Sequence, residues 1–314
     1  MRPDRREFLA LIAASGCVSE TQDAVMPVDS HVKPAGEFRL AICNETFQGW
    51  DFAAGCRGAI ETGYTGIEIA PFTLSDDPAS IAADVRREYR DVIGSEGLGY
   101  VGLHSLLTVP AGELHITTPN DAIRNRSWEY FRKLIDLCAD IGDSGMMILG
   151  SGRQRRAVDG SSVDDATKRL RDGLASVAGH AADRGVTILP ETLAPHLCDV
   201  LTSLHETVQL VREINHPAVQ TMFDTHNAVA ETTPHDQLIE DYADLIRHVH
   251  INEMDGRHPG TGTYDFSVPL QALKDVGYDG WLSLEVFQFE PSGEEIARIS
   301  SRYLRDIEAE LSDS

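Results

Sequence analysis

Lysine is almost missing from this sequence. Only Lys33, Lys133, Lys168 and Lys274 occur among 27 basic residues, against 50 acidic ones, for a net charge of -23. A surface this acidic repels phosphate backbones and anionic headgroups, which excludes binding to nucleic acid or a bilayer by bulk attraction. Acid enrichment with arginine kept and lysine lost fits adaptation to high salt, where screening shortens repulsion to a few ångströms. No apolar run reaches the about 20 residues that a spanning helix needs. No C-x-x-C pair occurs, which excludes a zinc knuckle or thioredoxin-type motif. No G-x-G-x-x-G turn follows a strand and no G-x-S-x-G occurs, so neither a dinucleotide site nor a nucleophile elbow is marked. With 314 residues, 42 % of them hydrophobic and 25 % charged, the composition is that of a globular α/β protein.

The N-terminus reads differently from the rest. Arg5-Arg6-Glu7-Phe8-Leu9 leads into a short apolar run, 9–14, followed by Ser15-Gly16-Cys17. This resembles a twin-arginine export signal joined to a lipoprotein box, with Cys17 as the lipidated residue. On that reading residues 1–17 are a signal, 18–37 a flexible tether, 38–305 the folded domain and 306–314 a C-terminal tail. A diacylglyceryl cysteine anchors firmly, so the protein is expected on the outer face of the cytoplasmic membrane, held by its lipid alone. The alternative is a disordered start on a cytoplasmic enzyme. Of the other cysteines, Cys43 falls in a strand pattern and Cys138 in a helical one, where cysteine serves as a small buried hydrophobe.

From Phe38 onward one unit repeats: a short apolar run, a polar loop, then an amphipathic helical stretch. The runs are 39–44, 66–70, 99–105, 145–151, 186–192, 219–225, 246–253 and 281–287. Most are apolar throughout, which marks parallel strands buried on both faces. Between them, 128–141 carries Phe131, Leu134, Ile135 and Cys138 on one stripe. Gly63, Gly97, Gly142, Gly185 and Gly277 fall where helices should stop. Eight βα units in about 250 residues predict a single (β/α)8 TIM barrel, with any active site at the carboxyl ends of its strands.

Polar residues at those ends carry the chemistry. Glu68 lies in the second run, His104 ends the third, Glu191 the fifth and Asp224-Thr225-His226-Asn227 the sixth. The seventh reads His248-Val249-His250-Ile251-Asn252-Glu253, and the eighth contains Glu285. Carboxylates converging on one barrel mouth repel and raise one another's pKa unless a cation joins them. Glu191, Asp224, His250 and Glu285 come from four successive strands and can reach one point. Three carboxylates and one imidazole suit one divalent ion such as Mn²⁺, Mg²⁺ or Co²⁺, with Zn²⁺ also compatible. His248 is a further candidate or a partner of His250. His216 and His235 read as surface residues; Arg153, Arg155 and Arg156 read as a solvated loop, with binding of an anion as the alternative.

The same residues carry a resemblance. Glu191, Phe223-Asp224-Thr225-His226, His248 to Glu253 in order, Glu285, and the segment Pro259-Gly260-Thr261-Gly262-Thr263-Tyr264-Asp265-Phe266 are together similar to the xylose-isomerase-like sugar isomerases and epimerases. The resemblance implies a metal held by Glu191, Asp224, His250 and Glu285. It also implies that Glu191 and Glu285 double as acid and base in a proton transfer next to a carbonyl, through an enediolate. Glu68, His104, His226 and Arg257 are expected to bind a small polyhydroxylated substrate, and Phe47, Trp50 and Phe72 to wall it. Leu197 stands where the ketose 3-epimerases carry a glutamate, with His196 as the nearest polar group. Dehydration is a further chemistry for such a site, and a homo-oligomer is compatible with it. Two other readings remain open: an apurinic-endonuclease-like trinuclear zinc phosphodiesterase using Asp255 and His258, and a sugar-binding lipoprotein without catalysis.

Overall fold

The computed structural model describes residues 37–142 and 144–313; the expected signal, including Cys17, and the expected tether up to residue 36 lie outside them. Eight parallel strands follow the predicted order: β1 (Arg39–Cys43), β2 (Gly66–Ile69), β3 (Gly99–Leu103), β4 (Gly145–Leu149), β5 (Val186–Pro190), β6 (Thr221–Asp224), β7 (Ile246–Ile251) and β8 (Trp281–Leu284). Among the described residues nine α-helices surround them: α1 (Phe52–Glu61), α2 (Ala83–Ser95), α3 (Asp121–Ile141), α4 (Gly152–Arg155), α5 (Val163–Asp183), α6 (Leu204–Ile214), α7 (His235–Tyr242), α8 (Ser267–Asp275) and α9 (Gly293–Asp313). Side-chain caps start several of them, with Asp51, Asn120, Ser162 and Ser203 each accepting from a first-turn amide. Gly63, Gly97, Gly185 and Gly277 follow helices with positive φ, as expected, whereas Gly142 ends α3 at φ -135.

The sheet is a barrel with one loose seam. Ladders run unbroken from β5 through β1 to β8, β7 and β6, while β5 and β6 share only the bridge between Ile188 and Val219. The Ile188 amide donates to the Ala218 carbonyl at 2.8 Å, so the next donor on that side of β5 would be residue 190. That residue is proline, which has no N–H. The Thr221 hydroxyl reaches across to the Pro190 carbonyl at 2.9 Å and holds the seam there.

The core lies in two places. Helix stripes pack on the outside of the barrel; Phe131, Leu134, Ile135 and Cys138 on α3 are all fully buried, the larger apolar side chains contributing about 1.5–3 kcal/mol each. The amino end of the barrel is plugged by Trp281, which lies against Gly66 and Gly99; a β-carbon on Gly66 would come within 2.6 Å of the indole. The described cysteines Cys43, Cys56, Cys138 and Cys198 are buried and free.

One expected boundary is overturned. Residues 306–313 continue α9 instead of forming a tail. Ile307 and Glu308 are buried, the Glu308 carboxylate accepts from the Phe38 amide, and Arg305 donates to the Phe38 carbonyl at 3.0 Å. The amphipathic stripe of α9 thus runs past residue 305 because it closes over the start of β1.

Candidate active site

Each of the four candidate ligands sits at the carboxyl end of its strand. Glu191 and Glu285 are the first residues after β5 and β8, and Asp224 ends β6. Parallel pairing sets Asp224 beside His250, and His250 beside Ser283, two residues before Glu285. One ligand atom from each of Glu191, Asp224, His250 and Glu285 lies within 4.8 Å of all the others. His250 Nδ1 is 3.0 Å from Glu285 Oε2 and 3.6 Å from Asp224 Oδ2, yet this buried nitrogen makes no hydrogen bond. A buried imidazole nitrogen facing three buried carboxylates fits a divalent cation. These four residues would hold it.

Electrostatics agree with that geometry. Burial pushes the Glu191 carboxyl well up, and the nearby charges of Asp224 and Glu285 push it further. Burial also opposes ionisation of Asp224, but the neighbouring imidazole of His250 and the Asn227 amide hold its pKa down. Asp224 Oδ1 accepts from the amides of His226 (2.7 Å) and Asn227 (2.9 Å), an Asx turn made by the sequence itself. Asn227 Nδ2 then donates to Glu191 Oε1 at 2.9 Å and to Asp224 Oδ2 at 3.2 Å. The sequence reading gave Asn227 no role; an asparagine three residues after a ligating aspartate was the available signal.

Glu68 is not where it was expected. It is fully buried beneath the ligands, accepting from His248 Nε2 at 2.8 Å and His250 Nε2 at 3.0 Å, with His104 Nδ1 at 3.2 Å. It therefore orients His250 and does not face a substrate. Burial pushes the Glu68 carboxyl up, but His250 and His248 outweigh it and hold the group well below the usual carboxylate range. His104 shows the mirror image: burial lowers its pKa, while Glu45 and Glu68 raise it well above the ordinary histidine value. Glu45, whose carboxylate lies 2.6 Å from His104 Nε2, was missed by the sequence reading because it sits in the turn after β1. His248 is the partner of Glu68 and no part of the ligand group.

Above the ligands opens a cavity of 420 Å³ whose walls include Glu191, Glu285, His104, Asn227 and His196. His226 stands beside it, 5.1 Å from the Phe287 ring, with Nδ1 bonded to the Met254 carbonyl at 2.8 Å. Arg257 does not reach the cavity; it is half-exposed and pairs with Asp255 at 2.8 Å. Phe47, Trp50 and Phe72 line a separate, mostly apolar cavity of 530 Å³ next to Glu45, so they do not wall the ligand cluster. His235 is half-buried against Phe223 and Tyr264 and is no surface histidine. The arginines after β4 are also not a solvated loop: Arg153 and Arg155 lie in α4, Arg156 follows it, and Arg155 is completely buried. Among the described residues, Asp255 and His258 join no group of ligands with the cluster; His258 packs against its own Pro259 carbonyl. That removes the trinuclear arrangement.

Comparison with known proteins places this geometry. The chain is 23 % identical over 261 residues to a ketose 3-epimerase of Arthrobacter globiformis, covering 78 % of this chain and 87 % of that protein. It is 25 % identical over 245 residues to an L-ribulose 3-epimerase of Methylomonas sp., covering 76 % and 80 %. Its fold is similar to the apo crystal structure of a 3-keto-D-glucoside 4-epimerase from E. coli (TM-score 0.74, 20 % identity, 86 % and 100 % of the two chains). The family model described as the xylose isomerase-like TIM barrel matches residues 56–307. By fold, strand-end ligands and this match, the chain belongs to the xylose isomerase-like TIM barrel family.

Proposed function

We propose that this protein is a divalent-metal-dependent sugar isomerase or epimerase that exchanges a proton on a carbon next to a carbonyl. The observation that carries this reading is the convergence of Glu191, Asp224, His250 and Glu285, with both glutamates also lining the cavity. Ketose and L-ribulose 3-epimerases among its relatives support the same chemistry. A divalent cation bound there would stabilise negative charge developing on vicinal substrate oxygens. The protein's own groups do the rest. Glu191 and Glu285 come from opposite sides of the cluster, so one can take the proton from one face of the carbon and the other can return it. Asn227 fixes the Glu191 carboxylate through Oε1. Glu68 fixes His250 from below, and Glu45 together with Glu68 holds His104 in the cavity wall. His226, beside Phe287, is the residue placed to meet a substrate hydroxyl. Loss of the proton leaves an enediolate, whose fate distinguishes isomerisation, epimerisation and dehydration.

The test is deuterium exchange. Incubated with Mn²⁺ and a panel of ketoses, aldoses and inososes in heavy water, the protein should wash deuterium into the carbon beside the carbonyl, as followed by NMR. Chelator should stop the exchange. Glu191→Gln and Glu285→Gln should each lower its rate by about 10²–10⁴-fold, the contribution of a positioned acid or base. Full activity in both variants, or sugar binding without exchange across the panel, overturns the reading; the second result makes the protein a receptor.

A further inference from the structure

The cavity has two electrostatic halves. Its floor is anionic, built from the ligand carboxylates, whereas the side formed by the segment after β4 carries Arg153 and Arg156, with His196 facing them from the loop after β5. Arg155 and Arg156 are built into the wall, whereas Arg153 is exposed at its rim. Gly150 lets the segment pass directly over Glu191; a β-carbon there would lie 2.3 Å from Glu191 Oε2. Arg156 is held by its Nη2, which donates to the Leu197 carbonyl at 2.7 Å, and its buried Nε has no partner. Arg155 lies behind the wall, fully buried, with Nη1 on the Leu149 carbonyl at 2.9 Å and with both Nε and Nη2 unpartnered. A buried guanidinium with open donors is costly unless an anion or a hydrogen-bond acceptor is close. Nothing acidic answers Arg153 or Arg156: no carboxylate lies within salt-bridge distance of either among the described residues. Leu197, between them and His196, gives this wall an apolar body with charged tips.

We infer that the substrate is an anionic sugar, a polyhydroxy ketone bearing a carboxylate or phosphate group, whose anionic end is received by Arg153 and Arg156 while its carbonyl end lies over the Glu191–Glu285 cluster. This rests on the isomerase or epimerase reading above. Guanidinium is the side chain suited to both anions, since its paired N–H donors match their oxygens. A cavity of 420 Å³ has room for such a molecule, being within the size range of small-ligand sites. The opposed halves would also fix its direction of binding, because reversing the molecule brings its anion against the floor carboxylates.

The experiment has a binding arm and a turnover arm, both on the Mn²⁺-loaded protein. Titration calorimetry compares three unreactive polyols: sorbitol, gluconate and sorbitol 6-phosphate. The expected result is at least tenfold tighter binding of one of the anions than of sorbitol, with the tighter of the two identifying carboxylate or phosphate. In Arg153→Gln/Arg156→Gln that ratio should fall to near one. Arg153→Gln alone, at an exposed position, should lower it several-fold and guards against a folding defect in the double variant. Turnover should show the same ratio in kcat/KM between anionic and neutral ketoses. If neutral and anionic ketoses exchange deuterium equally well in the wild type, the anionic-substrate inference is overturned and the enzymatic reading stands. If Arg-dependent anion binding is found with no exchange on any sugar, the enzymatic reading fails and the anion site survives.

Discussion

Glu68 is the residue on which the candidate site depends without exposing any of its surface. Its two oxygens receive His248, His250 and His104, so it sets the direction in which the His250 ring faces the carboxylate cluster. Breaking a buried ionic pair by removing one partner costs about 3–5 kcal/mol. Glu68→Gln should therefore lose stability of that size in urea unfolding, measured in chelator so that metal does not mask it. The pH dependence has a definite sign. A carboxyl held below its usual range stabilises the fold above that range, and the stabilisation is lost as pH falls through its lowered pKa. His104, raised above its ordinary value, works the other way: its contribution is complete below that value and fades as pH rises through the raised pKa. The variant should show a flatter acid limb than the wild type, and an unchanged limb removes Glu68 from this role. The tempting sequence reading of Glu68 as a substrate contact failed because strand position gives the direction of a side chain but not the level at which its partners meet it.

At the scale of elements, β3 is bent on purpose. Ile67 pairs with Tyr100 but Glu68 pairs with Gly102, so Val101 is an extra residue in the ladder. Gly102 takes φ +155, and a β-carbon there would sit 2.0 Å from the Met146 carbonyl oxygen. The bulge turns the end of β3 so that His104 reaches Glu68 and the cavity wall. Gly102→Ala should lower stability by about 1–3 kcal/mol, the range for forced overpacking, and should also slow sugar exchange by displacing His104. A guanidinium midpoint showing a change within about 0.5 kcal/mol, the ordinary surface range, would remove the bulge from the argument. The seam between β5 and β6 is a second such feature. Strand runs were legible from their apolar residues, yet the missing ladder follows from Pro190, and its consequence appears only when β6 is beside it.

For the whole molecule, the cation should be worth stability as well as chemistry. A ligand at 100 times its dissociation constant adds about 2.7 kcal/mol, which at this size raises Tm by roughly 4–5 °C. The Glu191 carboxyl, pushed up by burial and by Asp224 and Glu285, must release its proton for the cation to bind. Mn²⁺ should accordingly raise Tm more as pH climbs through that raised pKa. The metal-free protein has the opposite sign, because a raised carboxyl stabilises the fold at low pH and ceases to do so above its raised pKa. Calorimetric scans with Mn²⁺ and with chelator across about pH 5 to 8, the usual stability plateau, decide this; an Mn²⁺ increment independent of pH counts against Glu191 as a ligand. Elemental analysis should find one metal per chain, and three zinc ions would restore the phosphodiesterase reading. The export reading belongs to the same scale. If Cys17 carries the lipid, wild-type protein should fractionate with membranes in the native host and Cys17→Ser should not; an unmodified soluble chain retaining Met1 refutes it.

What the sequence by itself determined was everything written in local periodicity. Eight uniformly apolar runs separated by amphipathic stretches specify strands buried on both faces and helices buried on one, because burial is repeated along the chain. The convergence of the four candidate ligands was legible for the same reason: a carboxylate or imidazole ending an apolar run has nowhere to go but the barrel mouth. Tertiary structure alone decided how those ends meet. It set Glu68 below the cluster, left Arg257 with Asp255, separated Phe47 and Trp50 from the cavity, buried Arg155 behind its wall and carried the final helix over β1. Apart from the local pair of Arg257 and Asp255, these placements join residues far apart in the chain and are fixed by strand register, by the two register shifts in the β2–β3 and β6–β7 ladders and by side-chain packing, none of which leaves a periodic mark.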